Sequence, residues 1–274
     1  MSSLLEVTGL NKVHHRHSLF DAGSRSVHAV RDVSFTVERG EVLGIVGESG
    51  SGKSTLARAI LHLDPPSSGT VRFDGADVAR LHGRGLLRFR DRAQIVFQDP
   101  DSALNPRLPV GRAIEEGMVA QRVPRARRRE RVAELLDLVG LQPERMAGYP
   151  HEFSGGQKQR IVIARALAVD PDLLVLDEPV SNLDVSIQAQ ILNLLMEIKQ
   201  RLHLTYIFIS HDLNLVAYVS DRIGVMRRGE LLEVAPTRTL LASPVQEYTR
   251  TLFGSSPHYE DRRVAFQPPL RRQR

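Results

Sequence analysis

Four short apolar runs punctuate the chain, and each ends on a residue suited to phosphate or proton chemistry. Val42–Val46 runs into Gly47-Glu48-Ser49-Gly50-Ser51-Gly52-Lys53-Ser54-Thr55, and Ile95–Phe97 runs into Gln98. Leu173–Leu176 ends at Asp177-Glu178, and Tyr206–Ser210 ends at His211. Runs this short, without polar alternation, predict strands buried on both faces, as in a parallel sheet. In open α/β sheets the carboxyl ends of such strands form the ligand-binding rim. The pattern therefore lines up a glycine-rich loop, a glutamine, an acidic pair and a histidine along one edge.

Between these runs the period changes. Leu56–Leu61 predicts a helix directly after the glycine-rich loop. Ile187, Ile191, Leu194 and Leu195 recur at helical spacing, so 187–198 predicts a helix with one core-facing stripe, on which Met196 is a packing residue. Val33–Val37 predicts a strand, and Thr70–Gly75 a hairpin strand. Residues 99–165 carry few strand signals and several helical ones, such as Arg129–Val139. Alternation of strand and helix returns over 166–236. The expected organisation is an α/β core over 4–98 and 166–236, interrupted by a helical subdomain at 99–165. Prolines 236, 244, 257, 268 and 269 mark 237–274 as short helices followed by a loose tail. No internal repeat is visible, so one such unit is expected.

Gly47–Ser54 fits the phosphate-loop pattern G-x-x-x-x-G-K-[ST] in full. Glycines let the backbone wrap so that successive N–H groups point at phosphate oxygens. Lys53 brings a positive charge to the β- and γ-phosphates and Ser54 a hydroxyl to Mg²⁺. The following helix adds the positive end of its dipole. Asp177, at the end of an apolar strand, is expected to hold Mg²⁺ through water. Its neighbour Glu178 can reach the attacking water, which assigns it the general-base role. Ser154-Gly155-Gly156-Gln157 opens another helix, with Ser154 as N-cap and two glycines that permit close approach. It makes a second anion site, one more than a single triphosphate needs in one subunit.

Spacing alone supports a P-loop nucleoside triphosphatase. With Ser154-Gly155-Gly156-Gln157 added, the chain resembles the ATP-binding cassette family over residues 4–236. That resemblance implies a RecA-like core with an antiparallel β subdomain and a helical signature subdomain. It implies that Gln98 contacts Mg²⁺ and the attacking water, and that His211, followed by Asp212, donates to the γ-phosphate. Ser154, Gly156 and Gln157 would then close over a nucleotide held by a second subunit's phosphate loop. Ser181-Asn182-Leu183-Asp184 resembles the D-loop, with Asp184 linking the two sites and capping the helix that begins near Val185. The family often has leucine where Phe153 stands, and alanine where Asn182 stands. The linker 98–106 would border the groove that receives a permease helix. The family stacks adenine on an aromatic residue ahead of the phosphate loop. Here His14 lies nearest that place, within Asn11–His17, and is the expected adenine contact.

Within the family, Gly44–Lys53, Ile95–Pro100 with Leu104–Arg107, Asp177–Ser181 and Ile209–Leu213 resemble the ATPase subunits of oligopeptide, dipeptide and nickel importers. Pro244 with Tyr248-Thr249 echoes the region after their cassette. The implied partners are a second ATPase subunit, identical or paralogous, two membrane permease subunits and an extracytoplasmic solute-binding protein. The implied task is ATP-driven import of a peptide, nickel or a related small solute, with ATP and Mg²⁺ as cofactors. The alternative reading is a non-transport cassette protein, such as one serving phosphonate breakdown.

Composition narrows this picture. No apolar stretch approaches the twenty residues of a membrane span. The opening Met1–Glu6 lacks the layout of a secretion signal, so a peripheral position on the cytoplasmic face of the membrane is expected. The absence of cysteine excludes disulfides and the iron–sulfur extension that several subfamily members carry. The net charge of +5 gathers in an arginine block at 125–131 and in the tail. No aromatic residues interleave with either, so a solvated face is expected and no nucleic-acid partner.

Overall fold

The computed structural model describes residues 3–16 and 25–254. Two long strands, β1 (Ser3–Arg16) and β2 (Arg25–Glu38), lead into the short β3 (Val42–Val46) and helix α1 (Lys53–Ile60). There follow β4 (Ser68–Phe73), β5 (Ala76–Asp77), α2 (Gly83–Arg92) and β6 (Ala93–Val96). Helices α3 (Pro100–Ala103), α4 (Val110–Ala120), α5 (Arg125–Leu138) and α6 (Gly155–Leu167) come next. Then come β7 (Leu173–Asp177), α7 (Val185–Leu202), β8 (Thr205–Ser210), α8 (Leu213–Val219), β9 (Arg222–Arg227) and β10 (Glu230–Pro236). Two short helices, α9 (Thr237–Ala242) and α10 (Glu247–Gly254), close the described chain.

The strands make two sheets. A four-stranded antiparallel sheet has the order β2-β1-β4-β5, and a six-stranded sheet the order β10-β9-β3-β8-β7-β6. In the larger sheet β9, β3, β8, β7 and β6 run parallel, and β10 is an antiparallel edge. Every residue of β3, β7 and β8 is buried. The period of two explains why both faces must be apolar. Leu43, Ile45, Leu173, Val175, Ile207 and Ile209 join a core shared with α1 and the antiparallel sheet. Val42, Val46, Leu174, Leu176, Tyr206 and Phe208 point the other way, into a core built by α4–α8. Each such buried aliphatic side chain contributes about 1.5–3 kcal/mol relative to exposure.

Several element boundaries move from their sequence expectation. The second apolar run pairs over Ala93–Val96, and Phe97 falls outside it. The helix expected at 187–198 spans Val185–Leu202, with Ile191, Leu194, Leu195 and Ile198 buried and Met196 packed on the core. The helix expected from Arg129 already starts at Arg125, behind Pro124. Proline supplies no N–H and has a fixed φ, so it suits a helix start. The arginine block is more than a solvated face. Arg128 Nε reaches the buried Glu115 carboxylate at 3.0 Å, and Arg131 meets Asp170 at 2.5 Å. These pairs tie α5 to α4 and to the turn after α6. Helix α9 is docked by Leu240, fully buried, and by Thr237 Oγ1 donating to the Ser220 carbonyl at 2.6 Å. The arginines and prolines beyond 254 lie outside the described residues.

Candidate functional site

Strand register sets the site. Val46 pairs with Ser210 across β3–β8, Asp177 with Ile209 across β7–β8, and Val96 with Leu176 across β6–β7. The residues that follow these strands therefore emerge at one edge, where a cavity of about 470 Å³ opens. Ser49, Gly50, Gly52, Lys53, Ser54 and Thr55 form one wall. Gln98 and Glu178 form another, and Val27, His28, Ala29, Arg31, Arg228 and Gly229 complete the lining.

The loop wraps through left-handed glycines, φ 78° at Gly50 and 106° at Gly52. A Cβ at Gly52 would fall 2.2 Å from the Ala29 carbonyl oxygen, so no other residue fits there. The loop then enters α1, with no acidic residue in its first turn. Lys53, 4% exposed, folds back over the loop. Its Nζ donates to the Gly47 carbonyl at 2.7 Å and the Glu48 carbonyl at 2.9 Å. Burial lowers its pKa, against the pull of Glu178, Asp177 and Glu48. These contacts hold the ammonium beside the loop's N–H groups, where a phosphate chain would lie. Gly47, Glu48 and Ser51 stand behind this wall and shape it; Ser51 is buried.

Ser54 Oγ donates to Asp177 Oδ1 at 2.9 Å. Burial raises the Asp177 pKa, partly offset by the Ser54 hydrogen bond. A buried carboxylate beside a hydroxyl, with Gln98 at the same cavity, is a hard oxygen set that fits Mg²⁺. Among the described residues no three His, Asp or Glu side chains converge as a metal cage. One carboxylate, a hydroxyl and phosphate oxygens are what Mg²⁺ ordinarily uses. The raised pKa has a sign. The folded chain keeps the Asp177 proton to higher pH than the unfolded chain does. Its contribution to stability is therefore lost as pH rises through the folded pKa. Asp177→Asn is expected to raise the melting temperature of the nucleotide-free protein at neutral pH, with the gain fading on acidification. Thermal melts across pH check this.

Glu178 carries φ 50°, a left-handed conformation costly for a non-glycine residue. Its N–H donates to the Ile209 carbonyl at 2.9 Å, which pins the bend to β8. The bend turns the side chain toward His211, whose Nδ1 lies 3.0 Å from Glu178 Oε2. A proton on Nδ1 makes this contact a hydrogen bond and leaves Nε2 facing away. Asp212 caps α8, accepting from Asn214 N at 2.8 Å, so it fixes the turn that carries His211.

Ser154 caps α6 in a full capping box. Its Oγ accepts from Gln157 N at 3.4 Å, and its own N–H donates to Gln157 Oε1 at 3.0 Å. A Cβ on Gly156 would meet Ile187 Cγ2 at 2.6 Å, so glycine lets α6 approach α7 closely. Ser154, Gly156 and Gln157 do not line the cavity. Nor does Asp184, which occupies the N-cap position of α7 without making the expected side-chain cap bond. The linker after Gln98 is tied to α6 by Lys158 Nζ on Asp101 at 2.6 Å and Arg165 on the Ala103 carbonyl at 2.5 Å.

His14 lies on β1, exposed, with Nδ1 3.9 Å from Asp64. It is not part of the cavity wall; its cross-strand partner Val27 is. The β1–β2 pairing is irregular around Lys12 and Val13. His28, Arg31 and Arg228 line the cavity without any sequence motif that marks them. The only available signal was the Val27–Val30 strand pattern, because Arg228 and Gly229 arrive from the distant β9–β10 turn. His17 lies outside the described residues, as does the His15 side chain.

Residues 30–181 match the ABC transporter family, and residues 148–217 match a family described as AAA domain, putative AbiEii toxin, type IV TA system. The oligopeptide transport ATP-binding protein OppF of Bacillus subtilis is 48% identical over 265 residues, covering 93% of this chain and 86% of the relative. A putative peptide import ATP-binding protein of Brucella ovis is 49% identical, covering 93% and 78%. The dipeptide transport ATP-binding protein DppF of Lactococcus lactis is 49% identical, covering 87% and 78%. Among solved structures, cbiO1 of Clostridium perfringens, part of the ABC transporter complex cbiONQ, superposes with a TM-score of 0.75. It is 31% identical, covering 94% of this chain and 97% of that one. A dimeric ATP-binding cassette in a post-hydrolysis state with ADP and Pi superposes with a TM-score of 0.74 at 28% identity, covering 85% and 99%.

Proposed function

The chain belongs to the ABC transporter family, and on that premise we propose that it is the ATP-hydrolysing subunit of a peptide importer. One observation carries this reading: 48–49% identity, over nearly the whole chain, to ATP-binding proteins of oligopeptide, dipeptide and peptide import. The same relatives favour import over the phosphonate-breakdown alternative. Among the described residues no helix is long and apolar enough to cross a membrane. In this reading the chain works as a peripheral subunit on two permease subunits, at the cytoplasmic face, with an extracytoplasmic binding protein delivering the solute.

In this reading the loop from Gly47 to Thr55 wraps the triphosphate and Lys53 neutralises its β- and γ-oxygens. Ser54, Asp177 and Gln98 would hold Mg²⁺, which would supply charge neutralisation on the phosphate chain. Glu178 takes a proton from the attacking water, and His211 orients that carboxylate and faces the γ-phosphate. Ser154, Gly156 and Gln157 of a companion cassette close the other side. Hydrolysis removes the shared γ-phosphate contact and lets the two subunits part. Lys158 and Arg165 carry the motion between the Gln98 linker and the signature helix.

The test is reconstitution with the permease and binding-protein partners in liposomes. Peptides captured by the binding protein are expected to raise ATP turnover several-fold and to accumulate inside. Turnover that responds to no peptide but to a metal–chelate solute would overturn the peptide assignment.

A further inference from the structure

The entry to α6 lacks a contact that helix starts often use. An apolar residue just before the N-cap commonly packs on the residue at N4, and this fixes the angle at which the chain enters the helix. Here Phe153 precedes the Ser154 cap, but N4 is Lys158. Lys158 Nζ is engaged by Asp101 of the linker at 2.6 Å, and Gly155 and Gly156 offer no side chains. A different residue holds the entry. The Arg145 guanidinium carbon lies 4.3 Å from the Phe153 ring centroid, within cation–π range. Arg145 Nη2 donates to the Glu152 carbonyl at 3.0 Å. One side chain thus grips both residues that lead into Ser154. Arg145 stands on a fixed base, the short turn Pro143–Ala147. Its N–H donates to the Gln142 carbonyl at 3.0 Å, and its carbonyl accepts from Gly148 N at 3.0 Å. The Gly148 carbonyl in turn accepts from Val110 N at 2.8 Å, at the start of α4. A Cβ on Gly148 would meet Phe153 Cε2 at 3.1 Å, so glycine leaves room for the ring on this turn.

A leucine in place of Phe153, as the family often has, would fill the space but offer a cation no π face. We propose that Arg145 is a positioning residue for the Ser154 loop. Through the Phe153 ring and the Glu152 carbonyl it sets the angle at which Ser154 and Gly156 meet the companion subunit's nucleotide. Arg145 does not line the cavity of its own chain, so it leaves nucleotide binding by the monomer alone and acts on closure. Without it the entry to α6 is free to swing, and closure must then order it, which weakens the closed state relative to the open one. The inference rests on the reading of Ser154 as a trans contact.

The experiment uses the full chain carrying Glu178→Gln and measures its dimer dissociation constant in saturating Mg·ATP by sedimentation. The same is done with Arg145→Ala, Arg145→Lys, Phe153→Leu or Ser154→Arg added, and calorimetry with Mg·ADP reports the monomer's own site. Arg145→Ala is expected to raise the dimer constant about tenfold or more, since a net contact worth about fivefold is lost at each of two sites, and to leave Mg·ADP affinity unchanged. Phe153→Leu keeps an apolar side chain in the core and is expected to raise the constant about fivefold. Arg145→Lys keeps a cation on the ring and is expected to recover most of the loss. A lowered melting temperature in Arg145→Ala with an unchanged dimer constant would overturn the proposal and leave Arg145 a purely structural residue. Weakened Mg·ADP binding in Arg145→Ala would overturn it equally. If the Glu178→Gln chain forms no dimer, or Ser154→Arg dimerises as tightly, the trans reading falls and this inference with it. A dimer lost in Ser154→Arg but intact in Arg145→Ala strikes the inference alone.

Discussion

Glu178→Gln is expected to leave Mg·ATP binding nearly intact and to lower steady-state hydrolysis by about 10²- to 10⁴-fold, the range a positioned general base contributes. The substitution is close to isosteric. Glutamine keeps an oxygen that His211 Nδ1 can bond at the present 3.0 Å, so the strained φ of 50° at this position persists. What is lost is the ability to accept a proton from water. A second consequence separates this role from simple electrostatic support. With the γ-phosphate uncleaved, two subunits stay bridged, so the variant is expected to run as a dimer in Mg·ATP and as a monomer in Mg·ADP on size exclusion. Unchanged turnover would take Glu178 out of the base role. Lost turnover without a nucleotide-held dimer would separate the chemistry from the two-subunit arrangement.

How far such assignments were readable beforehand depends on the kind of constraint involved. β3, β7 and β8 are sandwiched between two cores, so they need apolar residues at every position, and an unbroken run betrays them. The phosphate loop is legible for a backbone reason: Gly50 and Gly52 take conformations that other residues resist, which leaves a mark in the sequence itself. β6 is less deeply covered, with Gln94 and Ile95 half-buried, and its boundary shifted accordingly. The wall opposite the phosphate loop is where reading along the chain stopped. Val27, His28 and Ala29 of β2 line the cavity, while His14, across from Val27 on β1, lies near Asp64. Arg228 comes from a turn about two hundred residues away in sequence, held by the Gly229–Ser51 bond, and no local motif announces it. Asp184 shows the converse. Its type and position suit a helix cap, yet its side chain makes no cap bond, which leaves its carboxylate free for a contact across the proposed dimer.

The separation of Ser154 from the cavity sets up the second large effect. Ser154→Arg is expected to leave monomer affinity for Mg·ATP within about twofold, because the residue does not line that cavity. It is expected to abolish hydrolysis in the assembled dimer. Within the monomer the change removes a capping bond at α6, worth about 1 kcal/mol. The Gln157 side chain still bonds the residue-154 backbone N–H, now at 3.0 Å, so α6 keeps part of its capping box. The exposed start of α6 is thus altered without disturbing the core behind Ile161 and Ile163, both fully buried. An arginine there puts a bulky cation where the cap oxygen and open glycines would meet the partner's γ-phosphate, and closure fails on shape. Mixed dimers sharpen the test. One altered subunit should disable only the site that its own signature completes, so an active Lys53 loop facing an intact Ser154 keeps turning over. If dimers altered at both signatures hydrolyse ATP at the wild-type rate, the phosphate site is complete within one chain and the trans arrangement falls.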